Sequence, residues 1–139
     1  MNRSELQRLA NERIEEARAL LIGSHWSGAY YLAGYALECG LKSCVLARVE
    51  RTGIIFQDKK FAEKCWTHDL SLLIELADLK TVLDAAQSSD PNLYANWMVA
   101  RAWTESTRYK ITIETEAREL VQAISDANQG VLQWISRYW

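Results

Sequence analysis

The chain has 139 residues, of which 49% are hydrophobic and 24% charged, so it is long enough for one domain with a substantial core. The formal net charge of −2 argues against non-specific clamping of duplex DNA, which needs a clustered positive surface. One proline and six glycines are too few for a turn-rich all-β architecture. We therefore expect a single helical domain over residues 1–139.

Cysteine usage and hydropathy indicate which covalent links, metal sites and membrane segments to expect. The three cysteines are odd in number and form no CxxC pair, so neither a disulfide framework nor a metal site is predicted, and a reduced, cytoplasmic protein is expected. The charged, amphipathic start argues against a secretory leader. Nineteen residues between Arg18 and Glu38 lack formal charge, but turn residues around Gly23 and Ser27 interrupt them, so no membrane span is predicted. No cofactor is predicted.

The first predicted element is an amphipathic helix over Asn2 to Ile22, with apolar residues at helical spacing. Gly23 suits the left-handed position that ends a helix. Ser24 is a residue type that caps helices, so it is expected to begin the next one. The two helices should then form an antiparallel hairpin.

The second predicted helix begins at Trp26 and ends at Thr52-Gly53. A second stripe on it carries Tyr31, Tyr35, Glu38 and Lys42, with Glu38 and Lys42 in the favourable order for an i,i+4 ion pair. Its apolar face is built from small and aliphatic side chains, namely Ala29, Leu32, Ala33, Ala36, Leu37, Gly40, Leu41 and Cys44. A mostly apolar helix with one polar stripe is typical of the centre of a bundle, facing a partner or a cleft.

The remainder of the chain is also predicted to be helical, with breaks at polar turns. Thr67 is expected to cap a helix whose apolar face begins at Leu70, and Pro91 to open a later helix. The predicted segments are a loop with a short helical turn over Ile54 to Cys65, helices over Leu70 to Ala77, Leu79 to Gln87, Asn92 to Glu105 and Ile113 to Tyr138, and an ambiguous stretch over Ser106 to Thr112. The predicted fold class is an all-α, up-and-down bundle of four main helices plus one or two short ones.

One candidate ligand site lies late in the chain. Trp97, Arg101, Glu105 and Arg108 recur at spacings of four, four and three, so they would share one helical face, which Tyr109 extends. Arginine binds phosphate through two parallel hydrogen bonds, and an aromatic face stacks on a base. The alternative is that Arg101 and Glu105 pair on the surface while Trp97 belongs to the core.

His68 is the second candidate, as one of only two histidines. It could form part of a polar pocket near the second helix, with Asp69 beside it, or simply hydrogen-bond the start of its own helix. His68 and Asp69 make no catalytic triad, because no nucleophile with a defined spacing accompanies them. Glu38 and Lys42 could likewise be a structural or dimer-interface pair.

Four pieces of the sequence together resemble a prokaryotic HEPN domain of the nucleotidyltransferase-associated type. They are AYYLAGYALECGLKS (Ala29 to Ser43), the helix start Thr67-His68-Asp69-Leu70, Trp97, and Arg108-Tyr109. The resemblance implies a helical bundle that usually dimerises and acts near nucleotides or RNA. Many HEPN proteins lie beside a minimal nucleotidyltransferase in toxin–antitoxin, phage-defence or stress systems.

The resemblance implies that active toxin members of the HEPN superfamily are metal-independent ribonucleases that use an Arg and a His separated by four to six intervening residues. Arg101 lies in the corresponding helix, but none of residues 106–108 is a histidine. Without an imidazole, that position lacks the side chain that exchanges protons most readily near neutral pH. The only literal match, Arg18 with His25, spans a predicted helix end in another part of the fold.

The leading hypothesis is a non-catalytic HEPN protein, acting as a homodimeric binding module for a nucleotide or RNA. One alternative is an atypical, metal-independent endoribonuclease toxin. Another is a structural partner subunit of a minimal nucleotidyltransferase. The predicted ligand-binding residues are Trp97, Arg101, Arg108, Tyr109, Tyr35, Glu38 and His68.

Overall fold

The computed structural model describes residues 1–139, which fold into helices and turns with no strand. The eight α-helices are α1 (Arg3–Ile22), α2 (Trp26–Thr52), α3 (Phe61–Lys64), α4 (Leu70–Leu76), α5 (Lys80–Ser89), α6 (Pro91–Ala100), α7 (Glu114–Ser125) and α8 (Val131–Ile135). Two 3-10 helices cover Ile54–Phe56 and Glu105–Tyr109. The predicted all-α bundle is confirmed, although it contains more short helices than expected.

Helices α1 and α2 form the predicted antiparallel hairpin. The start of α1 is fixed by a capping box, in which the Asn2 side chain accepts from the Glu5 backbone N–H at 2.9 Å and the Asn2 N–H donates to the Glu5 carboxylate. The antiparallel direction follows from the side-chain contacts, since Gln7 near the start of α1 donates to Ser43 in the second half of α2. The apolar stripe of α1 therefore packs along α2.

The turn between α1 and α2 differs from the prediction. Gly23 adopts φ −81° and is not left-handed, whereas Ser24 has φ 61°. The N-cap residue of α2 is His25, and its side chain makes no capping hydrogen bond. The tight turn falls one residue later than predicted because the Ser24 and His25 N–H groups donate to the carbonyls of Leu21 and Leu20, which closes the end of α1.

Helix α2 is the central element of the bundle. It contacts α1, α4, α7, α8 and the 3-10 helix Glu105–Tyr109, and it ends as predicted at Gly53, which is left-handed with φ 63°. Two of its glycines admit neighbouring side chains: Trp103 lies against Gly34, and Ile135 lies against Gly40. None of the helices, α2 included, combines the length and the hydrophobicity needed to cross a membrane.

The predicted helix over Asn92 to Glu105 is too long. Helix α6 begins at Pro91 and ends at Ala100, after which the chain turns and becomes extended at Thr104. The side chain of Trp103 is only 2% exposed, because its indole enters the space that the missing Cβ of Gly34 leaves on α2. Burying this ring requires the backbone to leave the helical path.

The predicted closing helix over Ile113 to Tyr138 is also wrong, because it is two helices. Helix α7 ends at Ser125, and α8 begins at Val131. Between them, the Asp126 carboxylate accepts from the backbone N–H groups of Asn128 and Gln129 at 3.2 and 2.8 Å. These bonds form a local turn that competes with the helix, as aspartate side chains commonly do.

Candidate functional site

A chain of charged side chains connects α2 to two later segments of the protein. The Glu38 side chain, on α2, is 3% exposed, and its Oε1 accepts from Lys42 Nζ at 2.8 Å, which is the predicted i,i+4 pair. The same Oε1 lies 2.9 Å from Nδ1 of His68. On the far side of the imidazole, Nε2 of His68 lies 3.1 Å from Oε2 of Glu105. One imidazole therefore lies between two carboxylates from distant parts of the sequence.

His68 lies just before α4, and the way this helix begins determines where its side chain lies. Asp69 is the N-cap of this helix, because its carboxylate accepts from the N–H groups of Ser71 and Leu72 at 2.8 and 3.1 Å. The predicted cap, Thr67, lies too early for that role. Its hydroxyl instead accepts from the N–H of Asp69 at 3.0 Å. His68 thus precedes the cap and reaches back to α2.

The contacts of His68 determine what the ring can do. Only the doubly protonated imidazolium can donate toward both carboxylates, whereas a neutral tautomer can donate toward one of them. Glu38, His68 and Glu105 are residue types that bind metals, but the two carboxylates face opposite edges of the ring. The structure accordingly contains no group of three such side chains arranged to hold a metal ion.

An open cavity of about 430 Å³ lies beside His68, and we call it the polar cavity. Arg101, at the end of α6, and Glu105, at the start of the 3-10 helix, contribute charged groups to its lining. Trp103 forms its apolar part, and the buried indole N–H of this residue has no hydrogen-bond partner. Hydroxyl and carboxylate groups complete the lining, from Thr67, Asp69, Ser71 and Thr104.

Arg108 and Tyr109 lie on the same 3-10 helix as Glu105. The Arg108 guanidinium lies 4.8 Å from the centre of the Tyr109 ring, which is a cation–π contact, and Tyr109 is 82% exposed. The Tyr109 hydroxyl and, less strongly, that of Tyr31 raise the pKa of Arg108 above its ordinary value, because they favour the charged form. Tyr31 in turn lies 6.2 Å from the ring of Trp103, which links this pair to the polar cavity.

An arginine and a histidine in a cavity, with a second arginine and an exposed aromatic ring on the helix that follows, are residue types that bind phosphate and an aromatic base. No protein-family model, curated protein or solved structure matches this chain.

The structure brings together some of the predicted residues and separates others. His68 and Arg101 line the polar cavity, and Glu38 lies behind His68. Trp97 is 5% exposed and belongs to the core. The single helical face expected for Trp97, Arg101, Glu105 and Arg108 does not exist, because α6 ends at Ala100.

Three further predicted residues lie outside the polar cavity. Arg108 and Tyr109 follow Glu105 on the 3-10 helix but do not line the cavity. Tyr35 stacks on Tyr31 at 6.2 Å and lines a different, apolar groove. The sequence interpretation missed Trp103 and Thr104. Their place in the cavity depends on the contact of Trp103 with Gly34, which is distant in the chain and gives no local signal.

Proposed function

We propose that this protein is a HEPN-type binding module for a nucleotide or for the end of a single-stranded RNA. The observation that carries the proposal is that Arg101 lines the polar cavity and that the 3-10 helix which supplies Glu105 to it also carries Arg108 and the exposed Tyr109. Arg108 and Tyr109 form a cation–π pair on that helix. This arrangement offers a phosphate site and a stacking surface within one short segment of the chain.

Each part of the site has a separate task in the proposal. The guanidinium of Arg101 is not committed to any ion pair, so it can bind phosphate oxygens in a bidentate manner. The exposed ring of Tyr109 stacks on a base, which contributes about 1–3 kcal/mol per base.

The charge of the polar cavity favours a short ligand over a long polyanion. Two carboxylates, Asp69 and Glu105, lie in the same lining as Arg101 and His68. A long duplex would bring many phosphates close to these acids, whereas one terminal phosphate can approach Arg101 alone. A carboxylate such as that of Glu105 also accepts hydrogen bonds from the amino groups of bases. A nucleotide or an RNA end fits this mixed charge.

The alternative of an atypical ribonuclease is less well supported. A general base needs a nitrogen with a free lone pair toward the substrate hydroxyl. Nδ1 and Nε2 of His68 each face a carboxylate oxygen, so neither nitrogen is open toward the cavity. His68 is better suited to hold Glu105 in place than to accept a proton. Binding without cleavage is therefore the function that we infer.

The binding experiment compares two double variants by fluorescence anisotropy with a labelled short RNA and with labelled nucleotides. Arg101→Ala plus Arg108→Ala should weaken binding by roughly tenfold or more, because hydrogen bonds to charged groups contribute about 1.5–3 kcal/mol each. The control, Arg8→Ala plus Lys80→Ala, removes the same charge from ion pairs elsewhere on the surface and should leave affinity unchanged. Equal affinities for the two double variants would exclude this site.

A salt titration and a cleavage assay complete the test. If Arg101 and Arg108 each contact a phosphate, the salt dependence of binding should fall by about 1.4 in slope when both are replaced. The wild-type protein should leave the same RNA intact over hours. Cleavage that disappears in His68→Ala would establish the ribonuclease alternative instead.

The resemblance to HEPN domains also leads us to propose a homodimer that works with a minimal nucleotidyltransferase in a toxin–antitoxin, defence or stress system. Exposed apolar side chains suit such contacts, among them Phe56 and Ile111. Light scattering on the purified protein measures the mass directly. A monomer at micromolar concentration that also fails to co-purify with a co-expressed neighbouring nucleotidyltransferase would refute this part of the proposal.

A further inference from the structure

A second cavity lies on the other side of Glu38, between α1 and α2. It has a volume of about 320 Å³, and we call it the apolar groove. Leu6 and Leu9 of α1 face Val45 and Leu46 of α2 across it, and Trp66 lies along it. None of these side chains belongs to the polar cavity. The volume is at the lower end of the range of about 300–1,000 Å³ that is usual for small-molecule sites.

One atom in this region has an unsatisfied hydrogen-bonding capacity. Glu38 lines the apolar groove, and its Oε1 is shared by Lys42 and His68. The second oxygen, Oε2, is buried and has no partner. A buried carboxylate oxygen without a donor is rare in folded proteins and requires an explanation. A donor supplied by a ligand in the groove is the explanation that also accounts for the cavity.

We propose that the apolar groove binds a small aromatic molecule that carries one neutral N–H or O–H group, which donates to Glu38 Oε2. The aliphatic walls require an apolar body, and the unpartnered oxygen requires a donor. The limited volume restricts the ligand to one or two rings. Indole and small phenols are compounds of this class.

The charges around the groove disfavour charged ligands. The carboxylate of Glu38 would repel an anion. The ammonium of Lys42, which lies 2.8 Å from that carboxylate, would repel a cation. Two further polar side chains in the lining are neutral near pH 7, since burial raises the pKa of Cys39 to about 11 and also raises that of Tyr35. A neutral donor is therefore the best match. This site does not depend on the proposed binding of RNA.

The first test compares two probes of the same shape on the wild-type protein. Indole carries an N–H group, and benzofuran has an oxygen in its place. Titration of each into the protein, followed by calorimetry, should give an affinity for indole roughly tenfold higher or more, because a donor to a charged acceptor is lost in benzofuran. Equal affinities, or no binding by either compound at millimolar concentration, would overturn the proposal.

The second test changes the acceptor. In Glu38→Gln the amide oxygen can keep the contacts with Lys42 and His68, so its NH2 group replaces Oε2. The preference for indole should then disappear, because an amide NH2 group cannot accept a hydrogen bond from the indole N–H. Glu12→Gln, an exposed acid on α1, is the matched control and should keep the preference for indole. An unchanged preference in a folded Glu38→Gln would contradict the proposal, and the wild-type comparison decides the matter if that variant does not fold.

A third variant locates the site. Leu9→Phe adds volume to the wall of the groove and should weaken the binding of both probes by a similar factor. Normal helical circular dichroism of this variant would show that the fold is intact. Unweakened binding of indole to folded Leu9→Phe would place the ligand elsewhere and refute the assignment.

Discussion

Replacing Gly34 by alanine should destabilise the protein, although alanine is the better helix former. Gly34 lies in the middle of α2, directly under the indole of Trp103. A Cβ at this position would lie 2.2 Å from two ring atoms of Trp103 and 2.3 Å from a third. Carbon atoms normally pack at about 3.5–4.0 Å, so the ring would have to retreat by roughly 1.3 Å. Because Trp103 is 2% exposed, a retreat of the ring would displace side chains that pack around it.

The expected loss of stability can be estimated from two opposing effects. Forcing extra volume into a packed core costs about 1–3 kcal/mol, and expelling a buried tryptophan costs about 3–5 kcal/mol. In the opposite direction, replacing glycine by alanine inside a helix stabilises the helix by about 1 kcal/mol. We expect Gly34→Ala to lower the free energy of unfolding by about 2–4 kcal/mol, since the three short contacts place it at the severe end of this range.

Urea denaturation followed by circular dichroism measures this change, and a thermal scan should show a Tm lower by roughly 8 °C or more. The matched control is Gly28→Ala in the same helix, where the new Cβ would lie 3.2 Å from the flexible end of Leu20. That variant should gain up to about 1 kcal/mol from helix propensity. If Gly34→Ala is as stable as Gly28→Ala, the packing of Trp103 on α2 is not as described.

Two further predictions concern the thiols and the start of α4. At pH 8 Cys65, which is partly exposed, should react with a maleimide faster than the two buried thiols, although partial burial also raises its pKa. Burial raises the pKa of Cys39 to about 11 and that of Cys44 to about 12, which keeps both thiols neutral; three equally fast reactions would contradict this. Asp69→Ala should lower the free energy of unfolding by about 1 kcal/mol in urea titrations, because two N–H groups lose their acceptor. No change would mean that water replaces this cap.

The features that the sequence predicts correctly depend on residues close together in the chain. The spacing of apolar residues located α1 and α2, and Gly53 marked the end of α2. The ion pair between Glu38 and Lys42 follows from their separation by one helical turn. The position of His68 next to α2 was one of two interpretations, and the structure shows its contact with Glu38.

The errors arise where distant residues decide the local structure. Helix α6 ends early because Trp103 packs against Gly34, and no local pattern contains that contact. The meeting of His68 with Glu105 depends on the same departure from the helix. The break between α7 and α8 is different, because Asp126 and Gly130 were visible turn residues. The apolar spacing continued across them and was given too much weight.

The ring of His68 touches the bundle on one edge and the 3-10 helix on the other. This makes it a natural spectroscopic probe, because its two nitrogens report on two different neighbours. A molecule that enters the polar cavity and draws Glu105 away would shift the nitrogen-15 resonance of Nε2 and leave that of Nδ1 nearly unchanged. Loss of the contact with Glu38 would produce the opposite pattern. Selectively labelled histidine would then reveal which side of the protein a compound occupies, without any tag on the compound.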